Sequence, residues 1–322
     1  MAEDQKIIPA PMEISQLPVF FEQVTLRLSE APDEVRRLFH GRGRCFKGLE
    51  QITCDWVAGQ LIVAIFKQVD TSFIDELKCG LMALSDSSIW QSKNGRSIVI
   101  QYRYQEGSPS EVLLGELEPA PVVKESGIKY QLNIGRNQNF GLFLDMRLGR
   151  NWVRENAEHK KILNLFAYTC GFSVAAVEGG ADTVVNVDMS KGSLAKGKEN
   201  HKLNEHNLNK VKFLGYDIFR SWGKIRKLGP YDLVIIDPPS FQKGSFALTK
   251  DYKRILRRLP ELLVPNGKVL ACVNSPQVSS DFLIDGMKEE APSFSFVQRL
   301  DNPPEFEDLD PQASLKVLEF SS

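Results

Sequence analysis

From about residue 160 onward the chain alternates short apolar runs with amphipathic stretches, a rhythm that the first 120 residues lack. The runs at 162–166, 183–187, 211–214, 234–236 and 268–273 are nearly continuous in apolar residues, as strands covered on both faces are. Between them the spacing predicts helices. One runs over 172–178 and is stopped by Gly179 and Gly180, one is capped by Ser190, and one reaches to about residue 263. The runs at 294–299 and 315–320 predict a closing antiparallel pair. Repeated strand–helix–strand units of this kind predict an α/β fold, a doubly wound, Rossmann-like sheet of seven strands with right-handed crossovers.

The N-terminal part reads differently. Strands are predicted at 52–56 and 61–66, joined by VAGQ, then a helix at 72–84 and a strand at 97–104. That pattern suggests a smaller α+β unit rather than a βαβ repeat. The two prolines of ELEPAPVV, residues 116–123, mark a connector. The expected organisation is an N-terminal α+β domain over 1–120, binding RNA or bracing its neighbour, and a catalytic domain over 121–322. A segment at 128–134 and a helix at about 144–154 lead into the second.

At 322 residues, 42% hydrophobic and 25% charged, the chain can bury two ordinary cores without staples. Its five cysteines are odd in number, widely spaced and without a CxxC pair, which argues against a disulfide framework or a metal cluster and for a reducing compartment. The start, MAEDQKIIPAPMEISQLP, lacks the basic-then-apolar pattern of a leader, and no apolar run is long enough to span a bilayer. A cytoplasmic protein without membrane contact is therefore expected. With a net charge of −1, no global positive field attracts a polyanion, so local patches would have to do so. RRLFHGRGRCFK, residues 36–47, interleaves basic residues with Phe39, His40 and Phe46. KDYKRILRR, residues 250–258, clusters five cations. His201 and His206, near the end of a predicted helix, read as surface residues.

The candidate chemistry lies at the strand tips. YDLVIIDPPSF drives a buried strand into Asp237, Pro238, Pro239 and Phe241, at the end of the sheet where open α/β folds bind ligands. Prolines with fixed φ and no N–H stiffen this loop, which suits gripping a flat base. The turn after the first strand, NLFAYTCGFS, holds only Gly171 where a dinucleotide site needs three glycines to cradle a pyrophosphate. S-adenosylmethionine carries no phosphate, so one glycine suffices. Asp188, at the tip of the second strand, is placed for the ribose hydroxyls, and Asp217, beyond the third, for the adenine amino group.

NLFAYTCGFSVAA, VVNVDMS, LGYDIF and DLVIIDPPSF together resemble the class I S-adenosylmethionine-dependent methyltransferases, most closely the bacterial 23S rRNA large-subunit methyltransferases of the I and K/L types. GIKYQLNI with FGLFLDMR resembles the segment preceding the catalytic fold in that group, and RLFHGRGRCFKGLE a stretch of the K/L type. The resemblance implies cofactor roles for Thr169, Gly171, Asp188, Asp217 and Asp237, with Asp145 and Arg147 beside them. Phe172, Met189 and Ile218 line the same site as neighbours of these residues. Cys170 stands where the family pattern often has glycine.

The acceptor atom turns on the strand after DPP. Methylation of a pyrimidine carbon needs a thiolate to attack the ring. In GKVLACVNSPQ the tip position falls to Asn274, while Cys272 lies two residues earlier, on the same face but deeper. A ring nitrogen such as guanine N7 has its own lone pair and needs positioning rather than a base. The expected roles are Asp237 and Asn274 on the base edge, loop carbonyls at Pro238 and Pro239 on its plane, and Phe241 stacked upon it. The expected function is rRNA base methylation in RNA processing. A cofactor-binding RNA assembly factor without transfer, a protein or small-molecule acceptor, and a nicotinamide oxidoreductase remain as alternatives.

Overall fold

The computed structural model describes residues 11–30, 33–135, 139–239, 241–242 and 246–322, with backbone alone at 241, 242 and 246. Two compact units emerge, one of residues 1–123, 132–140 and 304–309, the other of 124–131, 141–303 and 310–322.

In the first unit, α1 (Leu17–Glu30) places Leu17, Phe20, Val24 and Leu28 three or four residues apart, so all four fall on one buried face. This helix was not among the sequence expectations, although its spacing is legible. Strands β1 (Arg36–His40), β2 (Ile52–Val57), β3 (Gln60–Ile65), β4 (Ser97–Tyr102) and β5 (Ser110–Leu114) lie side by side in chain order. β3 and β4 are parallel. The helices α2 (Thr71–Ser85) and α3 (Ser88–Ser92) connect them, so the α+β unit contains a single βαβ crossover rather than a repeat of them.

The segment at 36–47 is not the open stacking surface that its composition suggested. Phe39 is fully buried, and Arg37 grips Asp55 through two nitrogens. Arg36 pairs with Glu34 and Arg44 with Asp308. The Arg42 guanidinium sits 4.4 Å above the Phe66 ring. A strand paired along its length has to turn alternate side chains inward, and those cations are consumed locally.

The hairpin of β6 (Val122–Glu125) and β7 (Ile128–Gln131) precedes the catalytic sheet. The second unit then runs through α4 (Arg147–Glu155), β8 (Lys161–Leu165), α5 (Gly171–Glu178), β9 (Thr183–Val187), α6 (Lys191–Leu203), β10 (Val211–Leu214), α7 (Trp222–Leu228) and β11 (Tyr231–Ile236). A short pair, β12 (Phe241–Gln242) and β13 (Phe246–Ala247), leads to α8 (Leu248–Leu256), α9 (Leu259–Leu262), β14 (Leu263–Val273), α10 (Asp281–Glu290), β15 (Ser295–Arg299) and β16 (Lys316–Ser321). The sheet order is β10-β9-β8-β11-β14-β16-β15, seven strands, parallel except that β16 runs against both neighbours. Leu163, Leu165, Val185, Val187, Val234 and Ile236 fill the core on one face of it; Ile162, Val184, Leu233 and Ile235 fill the other.

The helix expected to reach residue 263 instead breaks after Leu256, restarts with Pro260 in its first turn, and gives way to β14 at Leu263. Four of the five cations of 250–258 are paired: Lys253 with Glu289, Arg254 with Asp251, Arg257 with Glu290 and Arg258 with Glu261.

Candidate functional site

The turn between β8 and α5 carries three non-glycine residues in the left-handed region, Phe166, Tyr168 and Cys170, with φ of 57°, 47° and 63°. Each costs about 1–2 kcal/mol for an L residue, so the turn persists only where its surroundings over-determine it. They do. The Ala167 N–H donates to Val187 O at 3.1 Å, Tyr168 N–H to Asp188 Oδ2 at 2.8 Å, and Cys170 N–H to Ala167 O at 2.7 Å. The Thr169 hydroxyl donates to Gly141 O, and the Tyr130 hydroxyl reaches Gly171 O at 3.4 Å. Cys170 thus occupies the conformation that a glycine would adopt without strain, which is why this sequence departs from the glycine-rich pattern without losing the turn.

Asp188 sits at the tip of β9 with its second oxygen accepting from Ser190 N–H at 2.7 Å, and Ser190 in turn caps α6 through Ser193 N–H. Beside it Met189 is half exposed, at 50%. At the tip of β10, Asp217 accepts from Phe219 N–H at 2.8 Å and starts the short 3-10 turn Ile218–Arg220, whose Ile218 is buried. Phe172 is buried at the start of α5, against Met146 and Ala176 in the same core cluster. Three carboxylates, Asp188, Asp217 and Asp237, therefore follow the ends of three parallel strands. Three carboxylate acceptors suit a ribose diol, an amine and a cation.

The expected acceptor residues lie at the ends of β11 and β14 and in the turn before α4. The 3-10 turn Leu144–Met146 presents Asp145, which accepts from Asn274 Nδ2 at 3.2 Å. The expected helix at 144–154 begins with this tighter turn, and α4 itself starts at Arg147, which is partly buried. Asp237 is partly exposed directly after the end of β11. Burial and then the nearby Asp145 charge push its carboxyl up to about 7, with Arg150 pulling the other way. Pro238 is buried and Pro239 exposed. Phe241 lies in β12, but its side chain falls outside the described residues, as does Ser240 altogether.

Cys272 is fully buried, and burial followed by the charges of Asp237 and Asp145 holds its thiol well above the ordinary range. Asn274, by contrast, is exposed at the strand tip. Tyr252 of α8 fixes this spacing: its buried hydroxyl lies 3.0 Å from Cys272 O and 3.3 Å from Ile236 O, between the two strands as they part.

Sequence reasoning missed several members of the site. Arg150 and Glu125, Tyr130, Asn200 and Tyr252 have no motif, and each works through a partner distant in the chain. His201 and His206, read as surface residues, need correcting. His201 is fully buried and joins a polar chain through the interior: Asn164 to Asn186 Oδ1, Asn186 to Ser173, Ser173 to His201 Nε2, and His201 Nδ1 to His206 Nδ1, each at 2.9 Å. Burial and the neighbouring His206 lower the His201 pKa to about 3, so the ring is neutral.

No helix among the described residues is long and apolar enough to cross a membrane, and no cluster of His, Cys, Asp and Glu among them has the makings of a metal site. YwbD of Bacillus subtilis (strain 168), provisionally named a ribosomal RNA large subunit methyltransferase, is 29% identical over 297 residues, covering 88% of this chain and 73% of that protein. The ribosomal RNA large subunit methyltransferase K/L of Shewanella sp. (strain MR-4) is 36% identical over 185 residues, 55% of this chain and 26% of that protein. The corresponding methyltransferase I of Aeromonas salmonicida (strain A449) is 35% identical over 164 residues, 49% of this chain and 41% of that protein. The chain thus spans less than half the length of these last two relatives. Among solved structures, a provisionally assigned methyltransferase complexed with SAH superposes with a TM-score of 0.83 at 24% identity, covering 97% of this chain and 83% of that one. A SAM-dependent methyltransferase from Agrobacterium tumefaciens gives 0.63 at 17% identity, covering 90% of each chain. These likenesses establish the fold. Residues 36–321 match the S-adenosylmethionine-dependent methyltransferase family, and the chain is a member of it, an enzyme whose methyl donor is S-adenosylmethionine.

Proposed function

We propose that the chain transfers a methyl group to a base of RNA, 23S rRNA in particular, at a ring nitrogen such as guanine N7. The observation that carries the choice of atom is the contrast at the end of β14. Asn274 stands exposed at the tip, tied to Asp145, while Cys272 is sealed in the core with its thiol held protonated. A carbon acceptor needs a thiolate within reach of the ring. A nitrogen acceptor needs only in-line placement and exclusion of water. The names of the similar ribosomal RNA methyltransferases support RNA as the acceptor class.

Bound S-adenosylmethionine supplies a methyl carbon made electrophilic by a cationic sulfur. The chain's own residues do the rest. Asp188 takes the ribose hydroxyls and Asp217 the adenine amine, in the crevice beside Thr169, Gly171, Phe172, Met189 and Ile218. Asp145 and Arg147 flank the far end. Asp237 and Asn274 hydrogen-bond the base edge, Pro238 and Pro239 hold the loop carbonyls to its plane, and Phe241 stacks on it. Every one of these residues belongs to the second unit. Arg36, Arg37 and Arg44 in 36–47, and Lys253, Arg254, Arg257 and Arg258 in 250–258, are ion-paired, which leaves the grip on RNA more to base contacts than to phosphate-seeking charge.

Mass spectrometry of ribosomal RNA from cells with and without the gene tests the reading. A single methylated purine lost with the gene, and restored when the purified chain and S-adenosylmethionine are added to the unmodified RNA, is the expected result. A missing C5-methylpyrimidine instead, or unchanged RNA, would overturn it.

A further inference from the structure

Helix α6 begins at the Asp188 tip and runs back beneath the turn that follows β8. Two of its residues, one helical turn apart, face that turn. At Gly197 a Cβ would lie 2.3 Å from Cys170 Sγ and 3.2 Å from Thr169 O, so only glycine allows this approach. Asn200, 1% exposed, donates from Nδ2 to Thr169 O at 3.1 Å and accepts at Oδ1 from Gln131 N–H at 3.0 Å. Both partners are backbone groups of fixed polarity, so the orientation of the amide is forced. Its neighbour Asn204 closes the same strand edge, accepting from Lys129 N–H at 2.9 Å and donating to Lys129 O at 2.8 Å. The match is geometric. Four residues of helix rise about 6 Å, and two residues of strand about 6.6 Å, so Asn200 and Asn204 meet alternate residues of β7. Only Asn200 reaches onward to the turn.

Thr169 lies between left-handed Tyr168 and Cys170, and its carbonyl belongs to the peptide that leads into Cys170. We propose that Asn200 is a positioning residue for the cofactor turn. By tying the Thr169 carbonyl to the edge of β7, it holds the strained turn in the shape that receives S-adenosylmethionine. The inference rests on the reading of this turn as the cofactor site. It does not depend on the identity of the acceptor.

The test is titration calorimetry of S-adenosylmethionine and of SAH on the full chain, with thermal unfolding measured alongside. Asn200→Ala should weaken binding about tenfold, the effect of leaving one buried carbonyl unpaired. Asn204→Ala, which removes the strand contact without touching the turn, should lower the unfolding temperature and leave affinity within twofold. Equal losses of affinity in the two variants would overturn the proposal, because the effect would then pass through the hairpin at large. Asn200→Asp keeps the argument testable should the alanine variant not fold. A neutral carboxylic acid can accept from Gln131 and donate to Thr169, whereas a carboxylate cannot donate. Burial at this position, 1% exposed, raises the pKa of an introduced carboxyl, so the ratio of its dissociation constant to that of the unaltered chain should fall as pH is lowered from 8 to 4.5. A ratio indifferent to pH sinks the proposal. Asp188→Ala serves as the separate check: unchanged binding there would show that the crevice, and not the role of Asn200, has been misread.

Discussion

Arg150 holds Glu125 through two parallel bonds, Nε to Oε1 at 2.6 Å and Nη2 to Oε2 at 2.7 Å, and both side chains are at most 5% exposed. The same guanidinium donates to Phe143 O at 2.8 Å, and its stem lies 3.4 Å from where a Cβ on Gly171 would be. The β6–β7 hairpin, the turn before α4 and the cofactor turn are thus joined at one buried ion pair. Removing either partner strands an uncompensated charge. Glu125→Ala should cost about 3–5 kcal/mol, and the Arg150→Met, Glu125→Leu double variant much less. Chemical denaturation reads the stability. The double variant should still bind S-adenosylmethionine poorly, because Phe143 O and the flank of Gly171 have lost their support; wild-type affinity in it would refute the link.

Asp188 accepts from two backbone N–H groups, at Tyr168 and Ser190. Its replacement by alanine should weaken S-adenosylmethionine by about 10- to 150-fold, the equivalent of one charge-assisted hydrogen bond. Equilibrium binding measures this, and the change should appear in cofactor affinity before it appears in the affinity for RNA.

Asp237 gives a pH signature whose sign can be worked out. Its folded pKa, about 7, lies above the ordinary 3.8, so the folded state prefers the protonated carboxyl. Its favourable contribution is complete below pH 4 and is lost as pH rises to 7. Asp237→Asn should therefore gain in unfolding temperature over the unaltered chain as pH goes from 4.5 to 8. Activity should run the other way. As a carboxylate accepting from the base, Asp237 should make kcat/KM rise with an apparent pKa near 7, and the asparagine variant should lack that inflection.

Cys272 is fully buried in one core cluster with Ile162, Leu270 and Val317. Cys272→Ala should cost roughly 1–2 kcal/mol for the small cavity it leaves and keep methyl transfer within a few-fold. A folded, cofactor-binding variant with no transfer would mean a covalent route and a carbon acceptor.

Tyr252→Phe keeps the buried ring and removes the hydroxyl between Ile236 O and Cys272 O. With the strand tips less firmly spaced, kcat should fall several-fold and stability by about 1–3 kcal/mol. S-adenosylmethionine affinity should stay put, since the cofactor turn lies on β8. A parallel loss of cofactor binding would argue against a role confined to Asp237 and Asn274.

Periodicity alone marked the catalytic sheet, because strands covered on both faces must be apolar along their whole length, and 234–236 and 183–187 advertise that in one dimension. The order of acid-tipped strands, the single glycine at 171 and the DPP loop were legible for the same reason: each is a local pattern read within one strand–turn unit. What periodicity could not convey was the use of each charge and each polar group. The cations at 36–47 looked available until the fold brought Asp55 and Asp308 to them, and His201 looked exposed until Ser173, 28 residues earlier, closed over it. Pro260 hid a strand start, since a broken helix and the beginning of β14 share the same apolar run. The supports of the site, Arg150 with Glu125, Asn200 with Thr169 and Gln131, Tyr252 between two strands, were decided only in three dimensions. A hydrogen bond is a matter of two partners, and in each of these the second partner lies 16 to 69 residues away along the chain.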